Sequence, residues 1–260
     1  MVISSHSNPQ VKNIIALQKR SKIRKEQGVF VIEGVKMLLE APGDRVEKVY
    51  VSESFKRAGK ERNQLERYSC EVVSDSVFQS ISATSTPQGV LAMVKCPHYD
   101  LNQILESREV PKLLILETIQ DPGNLGTMLR TGEGTGVTGI IMDSTTADIY
   151  NPKAIRSTMG SIYRVPFVYV ENLQEAVIKV KEQGIHVFAA LLKGERDFDQ
   201  EDYTKPTGFL IGNEANGLSD EITALADSYI KIPMAGAVES LNAAIAASLL
   251  LYESFMQRRR

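Results

Sequence analysis

Between Lys112 and Arg260 short runs of almost purely apolar residues alternate with stretches of helical spacing. Leu113-Leu114-Ile115-Leu116 and Phe209-Leu210-Ile211 are examples of the apolar runs. A strand with one wet face alternates apolar and polar residues. A strand apolar throughout is covered on both faces, and in a parallel sheet the covering elements are helices. The pattern predicts an α/β fold over residues 112–260, with strands at 113–116, 138–142, 165–170, 186–192, 209–211 and 229–232. The predicted helices are 126–134, 152–159, 173–183, 219–226 and 241–257. Such folds bind ligands in the crevice outside the carboxyl ends of their strands.

The first third alternates helix and strand less strictly. Ser7 or Asn8 caps a predicted helix with Pro9 in its first turn, running to residue 27 and stopped by Gly28. Strands are predicted at 29–32, 46–51, 70–73 and 89–94, and helices at 35–40, at 54–68 and from residue 77. Residues 1–97 thus read as a small α/β module. The segment 98–111, bracketed by Pro97 and Pro111, reads as a linker to the domain of residues 112–260.

Charge separates the same two regions. Residues 1–97 hold 15 Lys and Arg against 10 Asp and Glu, whereas residues 98–260 hold 15 against 22. A basic module on an acidic remainder suits contact with a polyanion. Lys12, Lys19, Arg20, Lys22, Arg24 and Lys25 of the first predicted helix are the candidate phosphate contacts. A merely solvated helical face explains them equally well. No apolar run approaches the roughly 20 residues that span a bilayer. The start MVISSHSNPQ has no basic-then-apolar leader. A cytoplasmic protein is expected. Cys70 and Cys96 have no metal or redox spacing, and Cys70, in a strand, is expected to be a buried inert thiol.

Polar residues gather at three places. Asp121-Pro122-Gly123-Asn124 follows the strand LLILE; Asn124 is expected to cap the next helix, and Arg130 lies further along it. The glycines Gly132, Gly134 and Gly136 lack the G-x-G-x-x-G spacing and no Gly-Lys-Ser/Thr follows, so neither a dinucleotide fingerprint nor a P-loop is present. A nucleotide-dependent dehydrogenase is set aside on that ground. Asn151-Pro152-Lys153 through Gly160-Ser161 is the second place. The third is Ile211-Gly212-Asn213-Glu214-Ala215-Asn216-Gly217, then Ile232-Pro233-Met234, then Glu239-Ser240-Leu241-Asn242 at the start of the last helix. The free amides of a helix start attract polar groups. Taken singly, each place is equally an ordinary loop and cap.

Together and in this order, the three resemble the signature motifs of the SpoU (TrmH) family of RNA ribose 2′-O-methyltransferases, in the SPOUT superfamily. The resemblance covers roughly residues 112–260. Phe30-Val31-Ile32-Glu33-Gly34 and Thr86-Pro87-Gln88-Gly89 are similar, more loosely, to turns of that family's substrate-binding domain. The resemblance implies a deep trefoil knot in the C-terminal domain, which periodicity cannot reveal. It implies S-adenosylmethionine as cofactor, held by Gly212, Asn213, Ile232, Met234, Leu241 and Asn242, with no metal. It implies Arg130, Asn124, Glu214, Ser240 and Asn242 as the catalytic set, a homodimer, and structured RNA as substrate. Ribosomal RNA is expected because of the N-terminal module, with transfer RNA second. Four positions depart from the family's pattern: Ala243-Ala244 where Val-Ser is usual, Ala215 for glycine, and Ser161 for alanine. The missing hydroxyl motivates a competing expectation, a non-catalytic RNA-binding or ribosome-assembly protein that keeps the fold.

Overall fold

Asn8 opens the first helix, its side chain accepting the Gln10 N–H at 2.8 Å. The computed structural model describes residues 2–59, 62–106 and 109–259. The expected single helix is two, α1 (Pro9–Lys19) and α2 (Ser21–Gln27), because Arg20 between them is extended at φ −125° and ψ 110°. The Arg24 guanidinium turns back across the break and donates to the Leu17 and Gln18 carbonyls. Those are carbonyls that a helix end leaves without partners.

The chain divides into two compact units, residues 1–97 with 148–163, and residues 98–147 with 164–260. The first unit holds β1 (Val2–Ile3), β2 (Val29–Glu33), β3 (Val46–Ser52), β4 (Cys70–Val73) and β5 (Val90–Lys95) in the order β1-β4-β3-β5-β2. β1 and β3 flank β4 in parallel, while β5 runs antiparallel to β3 and β2. α3 (Val35–Glu40), α4 (Glu53–Ala58) and α5 (Asp75–Ile81) connect them. The helix expected over 54–68 stops at Ala58, where Gly59 takes a left-handed conformation. The two-residue β1 is too short for periodicity to reveal. Cys70 is half-buried rather than buried. Ile14, Leu17, Val73, Val77, Ile81 and Leu91, all buried, join the helices to this sheet.

In the second unit α6 (Leu101–Leu105) begins with a reciprocal cap between Asp100 and Gln103. Its Ile104 is buried in the core with Leu113, Ile141 and Val177. The expected linker is therefore a packed part of this unit. There follow β6 (Lys112–Leu116), α7 (Pro122–Thr135), β7 (Gly139–Asp143), α8 (Pro152–Thr158), β8 (Phe167–Val170), α9 (Leu173–Glu182), β9 (His186–Ala190), β10 (Arg196–Asp197), β11 (Thr207–Ile211), α10 (Asp220–Thr223), β12 (Ser228–Lys231) and α11 (Ala243–Arg258). The sheet order is β10-β12-β9-β11-β6-β7-β8, and every pairing is parallel. The expected doubly covered parallel sheet is observed. β6 and β11 are neighbours whose outgoing connections lead to opposite sides, to β7 and to β12. That divergence opens a crevice at the strand ends. At the other end, the buried Lys112 ammonium donates to the Thr135 carbonyl at the close of α7.

The expected boundary fails at one segment. Asp148–Tyr163, with α8, belongs to the first unit although it lies between β7 and β8 in sequence. Asp148 pairs with Arg24 at 2.6 Å, Tyr150 stacks on Phe30 with centroids 4.8 Å apart, and Tyr163 donates to the Met37 carbonyl at 3.1 Å.

Candidate active site

The loops after β6, β7 and β11 are tied together before any ligand is considered. The Asp143 carboxylate, at the end of β7, accepts from the Thr118 N–H (3.0 Å) and hydroxyl (2.8 Å) and from the Thr146 N–H (2.8 Å) and hydroxyl (2.7 Å). Burial alone raises this carboxyl, but those bonds outweigh it and hold it below the ordinary aspartate range. Thr118 is held at φ 55°, a conformation that costs a threonine about 1–3 kcal/mol. The Asn213 side chain donates to the Thr118 carbonyl at 2.8 Å, a further tie on that strained residue. Glu117 accepts from the Ser219 N–H at 2.8 Å and hydroxyl at 2.6 Å, securing the far end of the loop after β11.

Glu214 is the hub. Its carboxylate accepts from the Gln120 N–H at 3.0 Å, the Asp121 N–H at 3.3 Å and the Asn124 amide at 2.9 Å. Partial burial raises this carboxyl too, and the Asn124 amide and backbone donors more than reverse it, leaving Glu214 ionised below the usual glutamate range. The Asn124 carbonyl in turn accepts from the Asn242 amide at 3.0 Å. The Asn242 oxygen caps α11, accepting from the Ala244 N–H at 3.0 Å and the Ile245 N–H at 3.3 Å. Residues far apart in sequence thus form one chain of bonds from the loop after β11, through the start of α7, to the start of α11. Asn124 does not cap α7 as expected. Asp121 does, accepting the Asn124 N–H at 2.9 Å, which frees the Asn124 side chain for the network. An Asp directly before Pro at a helix start was the overlooked sequence signal.

A cavity of about 390 Å³ lies at these strand ends. Gly212, Asn213, Ile232, Met234, Ser240 and Leu241, all expected at the site, line it, as does Glu214. Glu239, from the third motif, also lines it, and Leu191, Leu192, Ala243 and Leu250 complete walls that were not expected. At Gly212 a side chain has no room: a Cβ would lie 2.2 Å from the Gly217 carbonyl carbon, inside the tight turn bridged between Asn213 and Gly217. A size of this order, with apolar walls and a few fixed polar groups, suits a small-molecule ligand.

Four expected residues stand elsewhere. Asn124 and Asn242, the latter expected to hold the cofactor, are bonded to each other and do not line the cavity. Arg130 is exposed on α7 and does not line the cavity, and among the described residues it has no hydrogen-bond or ion-pair partner. Arg24, expected on the phosphate-facing surface, is only 3% exposed and is committed to Asp148, Leu17 and Gln18. Lys12, Lys19, Arg20, Lys22 and Lys25 are exposed as expected. The departures do no visible harm. Ala244 is buried and its N–H is already bonded, and Ala215 is not in a left-handed conformation, so its Cβ adds no strain.

Comparison with known proteins agrees with this geometry. Residues 111–252 match the SpoU rRNA Methylase family and residues 8–92 match the MRM3-like substrate binding domain. The 23S rRNA (guanosine(2553)-2′-O)-methyltransferase RlmP of Bacillus subtilis is 30% identical, over 96% of this chain and 97% of its own. The SpoU methyltransferase AviRb from Streptomyces viridochromogenes, solved in complex with the cofactor AdoMet, superposes with a TM-score of 0.87 at 30% identity, covering 97% of this chain and 98% of that one. An AdoMet-bound rRNA methyltransferase from Sinorhizobium meliloti gives a TM-score of 0.85, also at 30% identity, covering 98% of this chain and 97% of that one. A methylase match over more than half the sequence, near full-length relatives, and a hydrogen-bonded hub that joins the motifs place the chain in the SpoU rRNA methylase family.

Proposed function

We propose that the chain transfers a methyl group from S-adenosylmethionine to a ribose 2′-hydroxyl of ribosomal RNA. The observation that carries this reading is the Glu214–Asn124–Asn242 network beside the cavity at the strand ends. Gly212, Asn213, Ile232, Met234 and Leu241, which line that cavity, would hold the cofactor by backbone groups and apolar contact. The cavity's size and its apolar walls fit such a ligand. When bound, S-adenosylmethionine supplies an electrophilic methyl group on a positively charged sulfur.

The protein's part is alignment. Glu214 and Asn124 fix the loop before α7, and Asn242 fixes the first turn of α11. Ser240 lines the cavity beside them. Arg130, on the same helix as Asn124, is free to meet RNA, and its guanidinium orients the ribose hydroxyl and a neighbouring phosphate. A guanidinium is a permanent donor and a poor base, so this side chain orients the hydroxyl, whose proton passes to water late in the transfer. The knot is part of this proposal, as is a homodimer. Ile245, Leu249, Tyr252 and Met256 leave an apolar stripe along α11, each at least 38% exposed, and a second copy of the chain covers it.

The test is methyl transfer itself. Deproteinised ribosomal RNA incubated with the protein and labelled cofactor gains label at a ribose resistant to alkaline cleavage. Label on a base, or in transfer RNA alone, rejects the assignment. Cofactor binding without transfer to either RNA favours the non-catalytic RNA-binding reading.

A further inference from the structure

A second cavity, of about 400 Å³, lies wholly within the first unit, between the starts of α4 and α5 and the turn before β5. Its floor is set by Gly89, at φ 80°, where a Cβ would lie 2.8 Å from both the Phe55 Cβ and the Ser52 hydroxyl. Phe55, half-buried, and the buried Phe78 supply ring surface. Gln79 and Gln88 stand at its rim, exposed, and among the described residues neither carboxamide has a hydrogen-bond partner. Asp75 accepts from the Ser54 N–H at 2.9 Å and from Arg57 at 3.3 Å. Those bonds hold its carboxyl below the ordinary aspartate range, and the Arg57 guanidinium beside it balances its charge.

We propose that this cavity receives one unpaired nucleobase of the substrate RNA, stacked on Phe55 and read along its edge by Gln79, Gln88 and Asp75. The inference rests on RNA being the substrate. A carboxamide offers a donor and an acceptor side by side, as base edges do, and aromatic rings with amide edges are how proteins seize splayed-out bases. The Asp75 carboxylate, bonded to the Ser54 N–H and to Arg57, has acceptor capacity left for a base edge that presents N–H donors. The unit therefore divides its labour. Exposed lysines of α1 and α2 meet the backbone, and the cavity selects a loop nucleotide.

Salt-dependent filter binding of deproteinised ribosomal RNA tests this, with methylation kinetics on the same preparations. Phe55→Ala should weaken binding by about 5- to 150-fold, and Gln88→Ala by about 5-fold. Neither should alter the slope of log affinity against log salt, because no phosphate contact is lost. Gln79 and Gln88 are exposed, so Gln79→Ala and Gln88→Ala remain informative should Phe55→Ala unfold. RNA binding by the wild type with unchanged affinity in both glutamine variants overturns the cavity assignment alone. So does a shallower salt slope in those variants, which would mean a phosphate site. A wild type that neither binds nor methylates RNA overturns the proposed function, and this inference falls with it.

Discussion

The strand-end site and the basic face of α1 and α2 use polar residues in opposite ways. At the site the central polar side chains are engaged: Glu214 with three donors, Asn124 and Asn242 with each other, Asp143 with Thr118, Thr145 and Thr146. On the basic face the lysines stand in water, and the ion pair recorded there, Lys22 with Glu26 at 3.8 Å, is exposed. One region stores geometry and the other stores charge. Arg24 and Arg130 break the division from opposite sides. The first is an arginine of the basic segment locked into structure, and the second is an arginine of the site helix left free.

That contrast can be broken most sharply at Arg130. Arg130→Ala should lower methyl transfer by more than about 100-fold, while calorimetric titration shows unchanged S-adenosylmethionine affinity. Substantial turnover by the variant removes the role. Next is Arg24→Ala, which leaves Asp148 and two helix-end carbonyls without their partner. A loss of about 3–5 kcal/mol in denaturant unfolding is expected for a buried pair, against less than about 0.5 kcal/mol for Lys25→Ala on the exposed side. Equal losses would erase the distinction between the two residues.

Smaller effects sharpen it further. Tyr252→Glu on the α11 stripe should turn a dimer into a monomer by light scattering. A wild type already monomeric removes the homodimer from the proposal. Glu214→Gln should cut turnover by about 5- to 10-fold, since one charged acceptor becomes a neutral one. The same variant has a pH signature. The folded-state Glu214 carboxyl lies below its ordinary value of 4.5, so its stabilisation is complete above that value and is lost as pH falls further. The wild type should therefore lose melting temperature below pH 4.5 more steeply than Glu214→Gln. Smallest is Lys12→Ala or Lys19→Ala, each reducing the salt slope of RNA binding by about 0.7–0.9.

Apolar runs such as 113–116 and 209–211 disclosed the parallel sheet because covering both faces leaves no room for alternation. The loops disclosed the site because Gly, Asn and Ser crowded where strands end. What stayed hidden was long-range pairing. Nothing local tells that Arg24 will turn inward, because its partner Asp148 is 124 residues away. Nor does spacing tell that Asn124 serves Glu214 while Asp121 caps the helix. Both are plausible caps, and only the contact from the loop after β11 decides between them. The break at Arg20 was hidden for a similar reason, since a guanidinium completing a helix end leaves no mark on apolar periodicity.

The excursion of residues 148–163 bears on how such a protein can be cut or rebuilt. A fragment ending at Pro97 would expose the Phe30 ring and strand the Arg24 guanidinium, and the remainder would carry an orphaned Asp148. Grafting this unit onto another methylase therefore means transplanting two separate stretches of gene.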